Sequence, residues 1–204
     1  MKKILKWLGV LIITILVAVI YSGTYLDISR EDLEAKYATG PSKFLDLSDG
    51  TRIHFRDEGK SEKPTIILLH GFNGSLFNFE RLVPLLADDF RLISIDLPGF
   101  GLTGATVVGD YTTEGFMDAI TKLTGELGVK NFSIAGNSMG GGVAWRYALE
   151  YPEKVENLIL LASSGVGTKE DIKRFEEREK NRPFVWRLLD SAALKKFLNY
   201  YTPK

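Results

Sequence analysis

The stretch FSIAGNSMGGG, residues 132–142, decides how the rest of the chain is read. An apolar run, Phe132 to Ala135, ends in Gly136-Asn137-Ser138-Met139-Gly140. Helical spacing follows, with Ala144, Ala148 and Tyr151 ahead of Pro152. A serine placed in this way between a strand and a helix is presented on a sharp, strained turn. Gly136 and Gly140 lack Cβ atoms, so strand and helix can close around it. The Ser138 hydroxyl is then lifted clear of the sheet. The Met139 amide points from the helix start toward the place where an oxyanion would form. Gly-x-Ser-x-Gly alone is a weak pattern, because a glycine-rich helix start with a structural serine has the same letters. What surrounds it distinguishes the two.

The surroundings are an alternation of strands and helices. Apolar runs at Thr65–Leu69, Leu92–Ile95, Phe132–Ala135 and Leu158–Ala162 are each bounded by Gly, Asp, Pro or Asn. Such runs fit strands buried on both faces of a parallel sheet. Upstream, FLDLSDGTRIHFRDEG (44–59) alternates around Ser48-Asp49-Gly50 and predicts a hairpin. Ser75 is placed to cap a helix running through Phe79, Leu82, Leu85 and Leu86, and Phe116, Ile120, Leu123 and Leu127 lie on one helical face. The predicted class is α/β, with a mostly parallel sheet and helices on both faces. Ligands meet such sheets at the carboxyl ends of the strands. His70-Gly71-Phe72, Asp96-Leu97-Pro98-Gly99 and Gly136–Gly140 all stand at that end.

At 204 residues the chain is long enough for one domain. Its 26 basic and 26 acidic residues cancel, and the absence of a long basic run argues against nucleic acid as a partner. It has no cysteine, which excludes disulfides, thiolate catalysis and cysteine metal sites. It has two histidines, His54 and His70. Nothing in the pattern implies a metal or an organic cofactor.

The first residues, MKKILKWLGVLIITILVAVIYSGTYLD, differ from the rest. Lys2, Lys3 and Lys6 precede an uncharged apolar run from Trp7 to Tyr21. A bilayer core takes about 20 apolar residues, and Lys6, Tyr21 and Tyr25 can reach the interfaces. The two readings are a cleaved signal and a retained membrane anchor. The exit, Val19-Ile20-Tyr21-Ser22-Gly23, carries large residues where cleavage wants small ones, which favours the anchor. The lysines then stay in the cytoplasm and the remainder lies outside the cytoplasmic membrane; a secreted form is the alternative. The expected organisation is an anchor or signal (1–25), a polar linker with one short helix at its start (26–43), an α/β core (44–167) and a charged, helical segment (168–204).

Other residues carry plainer expectations. His70 is held at a strand end and is expected to be structural. His54, in the middle of the hairpin, is expected at the surface or in packing. Asp96 is expected to cap its turn and pin the glycine-rich segment rather than to act as a catalytic carboxylate. Trp145 and Tyr147 are expected to pack against neighbours.

LLHGFNGSLFNFERLVPLLADDFRLISIDLPGFGLTG (68–104) and IAGNSMGGGVAWRYALEYPEKVENLILLASSG (134–165) together resemble the α/β-hydrolase superfamily. They are closest to membrane-anchored or secreted esterase-like members and to carbon–carbon bond hydrolases with Gly-Asn-Ser-Met-Gly-Gly. The resemblance covers roughly Phe44 to Gly165. It implies Ser138 as nucleophile and the amides of Phe72 and Met139 as an oxyanion hole, with His70, Gly71, Gly136, Asn137 and Gly140 supporting them. It implies a small-molecule ester as substrate, with carbon–carbon bond hydrolysis and a non-catalytic, membrane-tethered binding module as alternatives. It also implies an acid and then a histidine after Ser138. Here the chain departs from the pattern, since no histidine follows His70. Asp171 and Asp190 do not follow strands. Residues 168–204, with Leu194, Phe197, Leu198 and Tyr201 at helical spacing, look like the start of a helical cap. The expectation is an incomplete version of a longer enzyme, nearly inactive alone, whose bare strand at Leu158–Ala162 is prone to association; the alternatives are a natural truncation that has lost catalysis and a histidine supplied by a partner chain.

Overall fold

The structure, a computed structural model, describes residues 2–23 and 28–167, together with Lys173 and Glu177. It divides into two units, residues 1–37 and 38–204. The first holds helices α1 (Lys2–Gly23) and α2 (Arg30–Tyr37). In α1, Trp7, Leu11, Ile12, Ile13, Leu16 and Val19 are all exposed. Among the described residues no helix is long and apolar enough to cross a membrane. The spanning helix expected from the sequence therefore goes beyond what the structure supports. The short linker helix does form: Ser29 caps α2 by accepting from the Asp32 amide at 3.1 Å.

The second unit is a six-stranded sheet. Its strands are β1 (Ser42–Asp46), β2 (Arg52–Glu58), β3 (Thr65–Leu69), β4 (Arg91–Ile95), β5 (Phe132–Asn137) and β6 (Val155–Leu161), in the order β1-β2-β4-β3-β5-β6. The pairs β4–β3, β3–β5 and β5–β6 are parallel, whereas β1–β2 and β2–β4 are antiparallel. Alternation along each strand divides the core between two faces. Ile67, Leu69, Ile93, Ile95 and Ile134 face helices α4 (Thr113–Glu126) and α5 (Met139–Glu150), which contribute Phe116, Ile120, Leu123, Val143 and Tyr147. Ile66, Leu68, Leu92 and Ala135 face Phe79 and Val83 on the other side. Helices thus cover both faces, as expected. At β6, Leu158, Ile159 and Leu161 are about 40% exposed, so among the described residues the apolar edge expected there is bare.

One predicted helix differs. The segment after Ser75 is a 3₁₀ turn (Leu76–Phe79) followed by a single α-turn, α3 (Val83–Leu86). Pro84 lies in the first turn of α3 and has no N–H to donate, so one continuous helix through this segment is interrupted. Leu85, expected on the apolar face, points to solvent. Residues 168–172, 174–176 and 178–204, and with them Asp171, Asp190 and the cap-like apolar stripe, lie outside the described residues.

Across the sheet, Arg91 on β4 donates to Asp57 on β2 through Nε and Nη2, both at 2.9 Å. This guanidinium holds the Asp57 carboxyl below the usual carboxylate range, against the opposing effect of burial. A carboxyl with a depressed folded pKa stabilises fully above its unfolded value of about 3.9, and the contribution disappears as pH falls through the lower folded value. Wild-type protein is therefore expected to lose thermal stability more steeply below about pH 4 than D57N, as measured by melting temperature against pH. Superimposable slopes would contradict the assignment.

Candidate active site

Between the end of β5 at Asn137 and the start of α5 at Met139 there is one residue, Ser138, with φ 50 and ψ −112. A positive φ is uncommon outside glycine and persists where surrounding contacts over-determine it. They do so here. The Ser138 N–H donates to Leu161 O at the end of β6 at 3.0 Å. Its carbonyl accepts from the amides of Gly142 at 3.1 Å and Ser164 at 2.9 Å, and from the Ser164 hydroxyl at 3.1 Å. Asn137 adds a bond from Nδ2 to Leu161 O at 3.3 Å. The two flanking glycines are sterically required. A Cβ on Gly136 would lie 2.2 Å from Gly140 O, and one on Gly140 would lie 2.3 Å from Leu69 O and 2.5 Å from His70 O. Ser138 itself is half-buried, so its side chain is not sealed in the core.

The loop after β3 closes on the same point. A Cβ on Gly71 would be 3.0 Å from Asn137 Oδ1 and 3.2 Å from Ser138 Cβ, so the Gly71 backbone abuts the bend. The Gly74 amide donates to Gly71 O at 3.1 Å, closing a turn in which Asn73 takes φ 56. Asparagine tolerates that conformation. Phe72 sits on the turn, 63% exposed, with its ring edge-to-face on Phe100 at 5.8 Å. His70 is fully buried. Its Nδ1 donates to Gly71 O at 2.7 Å, while its Nε2 accepts from the Leu97 amide at 3.1 Å. Burial holds its pKa below the usual imidazole range, opposed by the Gly71 hydrogen bond and the Asp96 charge. A neutral imidazole with both nitrogens engaged ties the end of β3 to the end of β4.

Asp96 is the second tie, and its partner was not foreseen from the sequence. His54, expected at the surface or in packing, is fully buried, and its Nδ1 lies 2.6 Å from Asp96 Oδ2. The same carboxylate accepts the amides of Leu76 at 2.7 Å and Leu102 at 2.8 Å. Asp96 thus holds both the loop that follows Phe72 and the glycine-rich segment Asp96–Gly104, as its expected capping role requires. Strand alternation puts Ile53 and Phe55 on one face of β2 and His54 on the other, directly across from Phe44 in the hairpin register, but it does not mark His54 as buried.

The structure therefore brings His70, Gly71, Phe72, Gly136, Asn137, Ser138, Met139 and Gly140 together at the carboxyl ends of β3 and β5. Both histidines of the chain are buried, and their hydrogen bonds run to Asp96, Gly71 and Leu97. Among the described residues no cluster of His, Cys, Asp or Glu has the arrangement to hold a metal. Trp145 and Tyr147 pack as expected: Tyr147 is fully buried with its hydroxyl 3.1 Å from Thr121 Oγ1, and Trp145 donates to Ser164 O at 3.1 Å.

A strand–serine–helix bend at the carboxyl edge of a sheet in this strand order defines the α/β-hydrolase class. Residues 64–202 match the model of the alpha/beta hydrolase fold family, and the chain belongs to that family. It is similar to Lipase 1 of Psychrobacter immobilis, with 33% identity over 138 residues, 67% of this chain and 41% of that protein. It is also similar to 2-hydroxy-6-oxo-6-phenylhexa-2,4-dienoate hydrolase of Burkholderia cepacia, with 34% identity over 134 residues, 62% of this chain and 46% of that protein. Among solved structures, a membrane phospholipase A described as a bacterial virulence factor superposes with a TM-score of 0.59. It is 27% identical and covers 86% of this chain and 58% of its own. The chain spans less than half the length of these curated relatives.

Two glycine substitutions separate close approach from helix propensity. G140A is expected to destabilise by about 3 kcal/mol or more, because the new methyl group meets two main-chain carbonyls. G125A, in a part of α4 where a Cβ meets nothing within 4 Å, is expected to stabilise by about 0.5–1 kcal/mol. Thermal and urea unfolding of the two variants measure both, and equal effects would contradict the packing described.

Proposed function

We propose that this chain carries the nucleophile half of a serine hydrolase acting on carboxylic esters. The observation that supports this most directly is Ser138 itself: a half-buried serine at φ 50, ψ −112, ahead of a helix and against the Gly71–Phe72 turn. In this account the Ser138 hydroxyl attacks the ester carbonyl. The first amide of α5, on Met139, has no partner inside its helix and donates to the resulting oxyanion, with the Phe72 amide as second donor. Collapse expels the alcohol and leaves an acyl group on Ser138, which water then removes. Removing one oxyanion donor from such a site lowers turnover by about 100- to 1,000-fold. Similarity to a lipase supports an ester as substrate.

A serine hydroxyl needs a base to be a competent nucleophile at neutral pH. His54 and His70 are committed to the fold, so the base and its acid are assigned to parts of a longer protein outside this chain. The 204-residue chain alone is then nearly inactive, keeping only the contribution of binding and the oxyanion hole, about 1,000-fold over water in triad-deficient hydrolases. Carbon–carbon bond hydrolysis is the second reading, favoured by the similarity to the dienoate hydrolase. Both readings use Ser138; a non-catalytic binding module would not.

The exposed apolar side chains of α1 and the lysines at its start support an N-terminal membrane anchor, with the sheet domain on the extracytoplasmic side. The full-length protein is expected to stay with the membrane in alkaline carbonate; complete release would reject the anchor. In the same preparation S138A is expected to lower p-nitrophenyl ester turnover by at least about 1,000-fold. Unchanged turnover would reject the nucleophile assignment, and turnover of a vinylogous diketo acid in preference to esters would select the second reading.

A further inference from the structure

The segment after β6 folds back onto the Ser138 bend. Ala162 takes φ 47 and Gly165 takes φ 80, so the chain curls back on itself beyond Leu161. Within that curl, Ser164 gives two hydrogen bonds to one acceptor, the Ser138 carbonyl: its amide at 2.9 Å and its hydroxyl at 3.1 Å. The amide of Gly142 supplies the ordinary first bond of the helix to the same oxygen at 3.1 Å. Ser164 is itself held, since its carbonyl accepts from Trp145 Nε1 at 3.1 Å and from Ser163 Oγ at 3.1 Å.

The Ser138 carbonyl and the Met139 N–H are the two ends of a single peptide unit. That unit is planar and trans, so its C=O and N–H point in opposite directions. A group that fixes the carbonyl therefore fixes the direction of the Met139 N–H. Hydrogen bonds to a carbonyl also polarise the amide it belongs to and strengthen the N–H as a donor. We propose that Ser164 is a positioning residue for the oxyanion donor on Met139, acting through the shared peptide unit. This rests on Ser138 being the nucleophile.

The glycine run of α5 fits this role. A Cβ on Gly142 would stand 2.4 Å from Ser164 Oγ, and one on Gly141 would stand 2.6 Å from Ser163 Oγ. Glycine is unfavourable inside helices, yet two occur side by side where the two serine hydroxyls reach in. Trp145 has the same logic: its indole N–H anchors the strap from the helix, and its ring lies against Gly165, whose Cβ would meet Cζ2 at 3.2 Å.

The test uses the full-length protein and three variants. S164A removes the hydroxyl bond. S164T keeps a hydroxyl. G142A displaces the hydroxyl while giving α5 a better helix former. The readouts are kcat and KM for a p-nitrophenyl ester, and the Met139 amide resonance assigned by selective ¹⁵N-methionine labelling. Because the donor itself remains, S164A and G142A are expected to lower kcat about tenfold, less than the loss of a whole donor, with KM within about twofold. The Met139 amide proton is expected to move upfield in both, and S164T to recover most of kcat. A purely structural role for Ser164 would change stability while leaving kcat and the Met139 resonance of the folded protein at wild-type values, and that result would overturn the proposal. Failure of the nucleophile assignment looks different, since S138A would then turn over normally; in that case the Met139 resonance alone decides whether Ser164 controls this peptide.

Discussion

Everything at the carboxyl edge of this sheet depends on one backbone conformation, the positive φ of Ser138. A residue with a Cβ resists that conformation, and four hydrogen bonds to its two main-chain polar groups hold it there. Those bonds tie the bend to β6, to the strap beyond it and to the first turn of α5. The close approach of Gly136 to Gly140, and of Gly140 to the end of β3, leaves the helix no other position. If any of these were relaxed, the serine would return to ordinary helical or extended geometry and the Met139 amide would turn with it.

The loops around the bend are fixed by buried polar groups rather than by packing alone. His70 bridges the ends of β3 and β4, and Asp96 gathers the amides of Leu76 and Leu102 together with His54. Loops carry function in many α/β folds because a rigid sheet positions them. Here the positioning passes through two imidazoles and one carboxylate, all fully buried. This explains why a chain with two histidines uses both as braces. Phe72 and Phe100 then stand on braced loops, with edge-to-face contacts running from Phe72 through Phe100 to His70.

Much of this was legible in the sequence. The strand runs were visible because strands buried on both faces are continuously apolar, and β3 coincides with its expected span at Thr65–Leu69. The bend was visible because only glycine permits the close approaches at 136 and 140. The His54–Asp96 pair was not, because it joins residues 42 positions apart and nothing local marks a strand histidine as buried. The break at Pro84 was misjudged because apolar periodicity continued across a residue that cannot donate. The strap role of Ser164 had no sequence signal of its own beyond the unusual glycines at 141 and 142, whose meaning depends on which side chains reach toward them.

The central claim is that Ser138 is a nucleophile presented by this bend to a carbonyl beside the Met139 amide. The most direct measurement is to expose the folded full-length protein to a fluorophosphonate and map the modified peptide by mass spectrometry. The account predicts a single stoichiometric adduct on Ser138, lost when the protein is unfolded before exposure. An unmodified Ser138, with a reference serine hydrolase fully labelled in the same tube, would contradict it, as would an adduct on any other serine.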